Sequence, residues 1–464
     1  MRRVIVSAFV WVLCLSVQAE EWYRGNLHMH SLWSDGNVFP EDAVGWYRDH
    51  GYQFVTLSDH QMLQLDTHAW LEAGSQKLSR EKADAYVKGH PASAELKKEG
   101  GKEYLRLKTV WESKRMFDQP EAFLMVPGHE LNHVAGGLQV HMNVINVSDT
   151  LPYRYGDSPS EIFQRIETAL DAWGRAQDVP TLFMLNHPTW PCFDIRPEVL
   201  IGLPRIRFFE VCNADGGTTF PPHPLWYSLE KFWDIVNAFR IEDGYDPVFG
   251  TATDDTHTYT DPRGGARPGV GWVCVRAARL DPHALLQAMY RGEFYASTGV
   301  ALERVAFDGE KGTLSVKVRP DAGATYTVRF TTTQAGFDRT TEAFDDPAKE
   351  KKPARTGIRY SDMIGKTAKT VEGLEASYTL GPDDLYVRAT VTSSKKAVNR
   401  VSNEPEFDTA WTQPCGWRAW QGRNPLKARL TPKKGGRRRR LSFCRRVSGH
   451  QERALLPRQT LAGT

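Results

Sequence analysis

The chain has 464 residues, 41% of them hydrophobic and 25% charged, with a formal net charge of +3. That length leaves room for two or three domains with a large core, and the balance is that of an ordinary soluble protein rather than a disordered or membrane-embedded one. The charge is unevenly placed: fourteen Lys and Arg face one acid from Gly416 onward, so the basic excess belongs to the tail and excludes nothing about the partner of the acidic remainder.

Met1-Arg2-Arg3, the apolar run Val4 to Val17 and the small residue Ala19 predict a secretory signal over residues 1–19, because a basic start, a short apolar stretch and a small residue are what signal cleavage needs. The run is shorter than the roughly twenty residues of a membrane span, and Trp11-Val12-Leu13 lacks the small residues that lipid attachment at Cys14 requires. No second spanning run follows, so the mature protein is expected to be exported, periplasmic or secreted, with no membrane span. Five cysteines remain after the cut: Cys192, Cys212, Cys274, Cys415 and Cys444. An odd count argues against a disulfide framework; buried free thiols are the reading, with a Cys192–Cys212 bridge the conceivable exception.

Asn26-Leu27-His28-Met29-His30-Ser31 reads as a strand, which puts His28 and His30 on one face, with Asp35 on the Ser34-Asp35-Gly36 turn that follows. Pro40 to His50 predicts a helix and Phe54 to Leu57 a strand ending in Ser58-Asp59-His60. Residues 61–120 form a polar insertion, a lid or outer layer, with helical segments near Arg80 to Lys88 and Glu103 to Phe117. Strands follow at Ala122 to Pro127, running into Gly128-His129-Glu130, and at Val140 to Val147. A helix is predicted at Ser160 to Arg175, then strands at Thr181 to Leu185, ending in Asn186-His187-Pro188, and at Ile206 to Val211. Helix Leu225 to Phe239, strand Pro247 to Ala252 before Thr253-Asp254-Asp255-Thr256-His257, and helix Pro282 to Arg291 complete the series.

Strands alternating with helices predict a parallel sheet with helices outside, and His60, Glu130, His187, Asp255 and His257 at the carboxyl ends of apolar strands would meet on one rim of a closed barrel. Asp59 is expected to orient a ligand imidazole, while His129 and Asp254 alternate away from their neighbours Glu130 and Asp255; His133 is given a structural or outer role, and His223 a loop. From about Val300 short alternating segments, among them Thr313 to Val318, Thr325 to Thr331 and Leu385 to Thr392, predict a small all-β sandwich-like domain, with a charged mobile loop at Asp345 to Arg355. Residues 416–464 read as a basic, disordered tail, with a nucleic-acid role for that tail alone as the other reading.

In order, these motifs read HxH with SDG, SDH, GxE, a lone His, NHP and DxH. That succession resembles the polymerase and histidinol phosphatase (PHP) superfamily of metal-dependent phosphoesterases over Asn26 to Gly299. Trp233-Asp234, Pro268-Gly269 and Phe294-Tyr295-Ala296-Ser297-Thr298-Gly299 are similar to exported members that carry a β-module. The resemblance implies an α/β fold, a distorted (β/α)7 TIM-like barrel over residues 20–299, followed by the sandwich-like module over 300–415. It implies two or three divalent ions (Zn, Mn or Fe), one held by His28, His30, Glu130 and Asp255, a second by Glu130, His141 and His187, a third by Asp35, His60 and His257. Asp35, His60, Glu130, Asp255 and His257 would serve catalysis, the hydrolysis of a small-molecule or polymeric phosphoester by metal-activated water. Arg263 and Arg267 are candidate phosphate contacts. Two alternatives stand beside this reading: a metallohydrolase of another bond, amide or glycan ester, and a non-catalytic metal-stabilised binding protein.

Overall fold

The computed structural model describes residues 20–151, 156–188, 195–214, 227–260, 266–345, 356–397 and 406–423. The proposed signal, Cys192, His223, Arg263, most of the Asp345 to Arg355 loop and the tail beyond 423 lie outside them. The architecture is mixed α/β, with five sheets and eight helices among the described residues.

Two sheets position the site. In the five-stranded sheet, Phe249–Thr253, Phe208–Asn213 and Leu182–Leu185 run parallel, while Leu138–Ile145 and Gly128–Ala135 join antiparallel to the edge. The expected purely parallel order therefore gives way to a hairpin. Its turn is Gly136-Gly137, both at positive φ (60° and 80°), the two-residue connection that matches strand twist and favours glycine. The nine-stranded sheet runs Lys366–Glu372, Tyr326–Gln334, Asp384–Lys396, Phe407–Thr412, Phe294–Ser297, Trp272–Ala277, Glu21–Asn26, Phe54–Val55, Leu124–Met125. Strand Phe294–Ser297 pairs with Phe407–Thr412 across the expected boundary near residue 300, so the segments on either side share one sheet. Isolated parallel bridges Met29–Thr256 and His60–Glu130 connect the two sheets.

Helix Pro159–Gln177 begins at Ser158, whose side chain accepts from the Glu161 N–H, and buries Ile162, Phe163, Ile166 and Leu170. These pack with Val144, Phe183 and Phe209 of the five-stranded sheet, each side chain contributing about 1.5–3 kcal/mol. Helix Leu229–Glu242 is buried almost throughout, because strand Asp384–Lys396 closes over its second face. There Arg388 grips Asp234 through Nε and Nη2 at 2.8 and 2.7 Å.

Two predicted segments differ. Glu103 to Phe117 is not one helix: Lys102–Arg106 pairs with Trp70–Glu72 and Leu96–Glu99 in a three-stranded sheet, and helix Val110–Phe117 follows a Thr109–Glu112 capping box. The tail does not lose order at 416 either. Helix Trp417–Arg423 buries Trp417 and Trp420 against the Phe239 and Tyr386 cluster, an anchor that overrides the basic composition. No helix of the described residues is long and apolar enough to cross a membrane.

Candidate metal centre

The opening strand stops at Asn26, yet the chain stays extended through Met29, whose backbone bridges Thr256. His28 and His30 thus share a face just beyond the ladder. The turn that follows folds back on its own start: a Cβ on Gly36 would lie 2.5 Å from the His30 carbonyl carbon, so only glycine lets Asp35 return toward the histidines. Asp59 holds this turn. It accepts from Ser31 N and Oγ at 2.8 Å, from Ser34 N and Oγ at 3.1 and 2.7 Å, and from Gln64 Nε2 at 2.9 Å; it reaches an imidazole through Ser34 Oγ, which lies 3.3 Å from His30 Nδ1.

All nine residues predicted as ligands converge. His28 Nε2 lies 3.4 Å from Glu130 Oε2 and 3.2 Å from Asp255 Oδ1, and His30 Nε2 lies 3.0 Å from Asp255 Oδ1. On the other side of Glu130, His141 Nδ1 and His187 Nε2 stand 3.2 and 3.5 Å from Oε1. Toward solvent, Asp35 faces His60 Nε2 at 3.4 Å and His257 Nε2 at 3.3 Å. Three donor groups result, each with its donor atoms within 4.8 Å: His28, His30 and Glu130; Glu130, His141 and His187; and His30, Asp35, His60 and His257. Glu130 and His30 are shared between groups. The first two groups are buried, whereas Asp35, His60 and His257 keep 57%, 23% and 27% of their side-chain surface, so the third group forms the mouth.

Glu130 comes from within the hairpin strand Gly128–Ala135 and His141 from its partner Leu138–Ile145, not from strand ends. His187 and Asp255 occupy φ of 20° and 47°, a region that costs a non-glycine residue about 1–3 kcal/mol and is retained where surrounding structure enforces it. As expected, Asp254 turns away, accepting from Tyr47 and from the backbone N–H groups of Gly269, Val270 and Gly271; burial pushes its carboxyl up to about 6. His129 is buried on the opposite face and burial lowers its imidazole to about 4. Arg267 is half-buried on the loop after His257.

The electrostatics are those of acids and imidazoles forced together. Burial opposes the charge on Glu130 and Asp255, but the neighbouring histidines, His28 first, hold both carboxyls well below the ordinary range. Burial likewise opposes a proton on His60 and His257, yet Asp35 and their other acid neighbours raise them to about 10 and about 9. Glu130 Oε2 is crowded by imidazole nitrogens, His60 Nδ1 at 2.7 Å, His28 Nε2 at 3.4 Å and His30 Nε2 at 3.6 Å, while His28 Nε2 looks onto the carboxylate oxygens of Glu130 and Asp255. Acids and imidazoles packed together in a dry site are costly without a cation, and mixed imidazole and carboxylate groups around a shared carboxylate suit divalent Zn, Mn or Fe. The residues fit such ions.

Sequence reasoning missed Glu210, which lies fully buried behind the cluster and accepts from His28 Nδ1 at 2.8 Å. It also passed over Asn132 and Asn186, whose amide nitrogens reach His60 Nδ1 at 2.7 Å and Glu130 Oε1 at 2.9 Å. The signal available for Glu210 was a lone acid inside the apolar strand Phe208-Phe209-Glu210-Val211.

No family model matches the chain, and no curated protein matches it. Among solved structures it is similar to a two-domain protein from Bacteroides vulgatus containing a predicted PHP-like metal-dependent phosphoesterase, at 15% identity and a TM-score of 0.38, covering 89% of this chain and 99% of that one. It is similar also to a candidate metal-dependent phosphoesterase from Bifidobacterium adolescentis, at 12% identity and a TM-score of 0.28, covering 53% and 89%. A third is an amidohydrolase from Chromobacterium violaceum with bound sulfate and no metal, at 11% identity and a TM-score of 0.25, covering 51% and 88%. These likenesses are distant, and the functional reading rests on the chain's own donor atoms.

Proposed function

We propose that the protein is an exported metal-dependent phosphoesterase, with residues 20–299 closing a distorted barrel around a trinuclear centre and residues 300–415 forming a sandwich-like module behind it. The observation that carries this reading is the sharing of Glu130 and His30 among three donor groups, with His28, His30 and Glu130 fully buried at their centre. His28, His30, Glu130 and Asp255 would hold one ion, Glu130, His141 and His187 a second, and Asp35, His60 and His257 a third. Divalent zinc, manganese or iron would supply an activated water and neutralise charge on phosphoryl oxygens.

The chain's own residues do the rest. Asp35, the most exposed donor, is the first that substrate and water reach. Glu130 and Asp255, dry and anionic, set the spacing of the imidazoles around them. Asn186 fixes the Glu130 rotamer from below through its 2.9 Å bond, and Asn132 steadies the His60 ring. Arg267, on the loop after His257, and Arg263, which lies outside the described residues, are the proposed grip on the phosphate.

The test is hydrolysis of p-nitrophenyl phosphate, bis-p-nitrophenyl phosphate and an acylated amine by protein stripped of metal and then reloaded with manganese or zinc. Metal-restored ester cleavage that falls more than about a hundredfold in Glu130→Ala supports the reading. Full metal loading with turnover of the amine alone, or of nothing, overturns it.

A further inference from the structure

We infer that Glu210 is a positioning residue that sets the geometry of three metal donors at once, an inference that rests on the cluster being a metal centre. Its Oε1 accepts from His28 Nδ1 at 2.8 Å and Thr253 Oγ1 at 2.6 Å. Its Oε2 accepts from the His187 backbone N–H at 2.7 Å and Asn213 Nδ2 at 2.8 Å. The same Asn213 nitrogen donates to Asp255 Oδ2 at 3.1 Å. One carboxylate therefore ties together His28 directly, His187 through its main chain, and Asp255 through one amide.

Each tie has a chemical consequence. A carboxylate that only accepts requires the proton of His28 to sit on Nδ1, which leaves the Nε2 lone pair aimed between Glu130 and Asp255. The bond to the His187 N–H holds a backbone at positive φ that the side chain would otherwise leave. The Asn213 link fixes which Asp255 oxygen faces His28 and His30, since Oδ2 is engaged and Oδ1 is the atom 3.2 and 3.0 Å from the two imidazoles. Among the described residues no Lys or Arg pairs with Glu210, so this fully buried acid is placed where imidazole, amide and hydroxyl donors satisfy it. A residue kept for stability alone is better served by an apolar side chain in the strand Phe208–Asn213.

The experiment compares the full-length wild type with Glu210→Gln, Asn213→Ala and, as control, Glu230→Gln, where helix Leu229–Glu242 meets strand Asp384–Lys396. Each is stripped of metal and titrated with cobalt(II), reading affinity by calorimetry, donor geometry by the visible cobalt spectrum, and the metal-free melting temperature separately. Glu210→Gln sets an NH2 group against two donors, and cobalt affinity is expected to drop about 10- to 100-fold with an altered spectrum. Asn213→Ala is expected to lose less, in the same direction. Glu230→Gln is expected to melt lower while binding cobalt as the wild type does. Wild-type affinity and spectrum in both Glu210→Gln and Asn213→Ala overturn the inference, as does a loss in Glu230→Gln equal to theirs. Should Glu210→Gln fail to fold, Asn213→Ala decides alone: weaker binding supports the inference and unchanged binding overturns it. A wild type that takes up no cobalt removes the metal centre itself, and the inference with it.

Discussion

Two clusters of charge are withdrawn from water in this protein, and they are neutralised in different ways. Where helix Leu229–Glu242 meets strand Asp384–Lys396, Arg388 lies between Asp234 and Glu230, and every acid oxygen has a donor. Asp234 accepts from Tyr386 and Arg388, and Glu230 from Trp411, Arg329, Arg388 and Thr390. At the candidate centre, acids face imidazoles, Glu130 Oε2 lying 2.7 Å from His60 Nδ1 and 3.4 Å from His28 Nε2. A network of guanidinium, indole and hydroxyl donors on acids fixes one arrangement of two parts of the chain; acids crowded by imidazoles, whose lone pairs are themselves metal donors, suit something the polypeptide does not supply.

The sharpest way to break this contrast is Arg388→Ala. It leaves Asp234 uncompensated in a dry site and is expected to cost about 3–5 kcal/mol in denaturant unfolding, with metal content unchanged. A cost under about 1 kcal/mol would mean that the junction is not the closed network it resembles. The next effect belongs to the centre. Manganese at a hundred times its dissociation constant should stabilise the wild type by about 2.7 kcal/mol and leave Glu130→Ala where it was. Equal stabilisation of both proteins would place the ions elsewhere.

The smallest effect concerns pH. His60 and His257, held near 10 and 9 in the metal-free fold, lie above the ordinary imidazole value near 6.5. Because the folded state binds these protons more tightly, the stabilisation they give is complete below about 6.5 and is lost as pH climbs through 9 to 10. Bound cations displace the same protons, so melting temperatures followed from pH 6 to 9.5 should fall more in chelator than in manganese. Parallel curves would contradict the assignment of these histidines to the ions.

Much of this was legible in the sequence, because ligand residues at the ends of apolar runs stand out against a strand's two-residue period. His60, Glu130, His187, Asp255 and His257 are singled out for that reason; the full set of nine comes from the resemblance that the succession of motifs carries. The hairpin carrying Glu130 and His141 is not legible, since the apolar run Ala122 to Pro127 leads straight into Gly128-His129-Glu130 and the Gly136-Gly137 pair alone marks the turn. Glu210 was hidden by its surroundings: in an apolar strand a single acid changes no periodicity, and only the fold brings His28, His187 and Asn213 to it. The sheet in the insertion escaped for the opposite reason. Leu96–Glu99 is mostly charged and exposed, and Lys102–Arg106, though buried at its end, is charged at three of five positions, so no apolar alternation announces them. At the far end, two tryptophans outweighed a composition that otherwise spoke for disorder.

The most direct test of the central claim is an anomalous difference map from crystals of the wild-type protein grown with manganese and measured near its absorption edge. The account predicts peaks within coordination distance of the Glu130 carboxylate, one on the side of His28, His30 and Asp255 and another on the side of His141 and His187. Crystals that contain manganese yet show no peak touching Glu130 would contradict it.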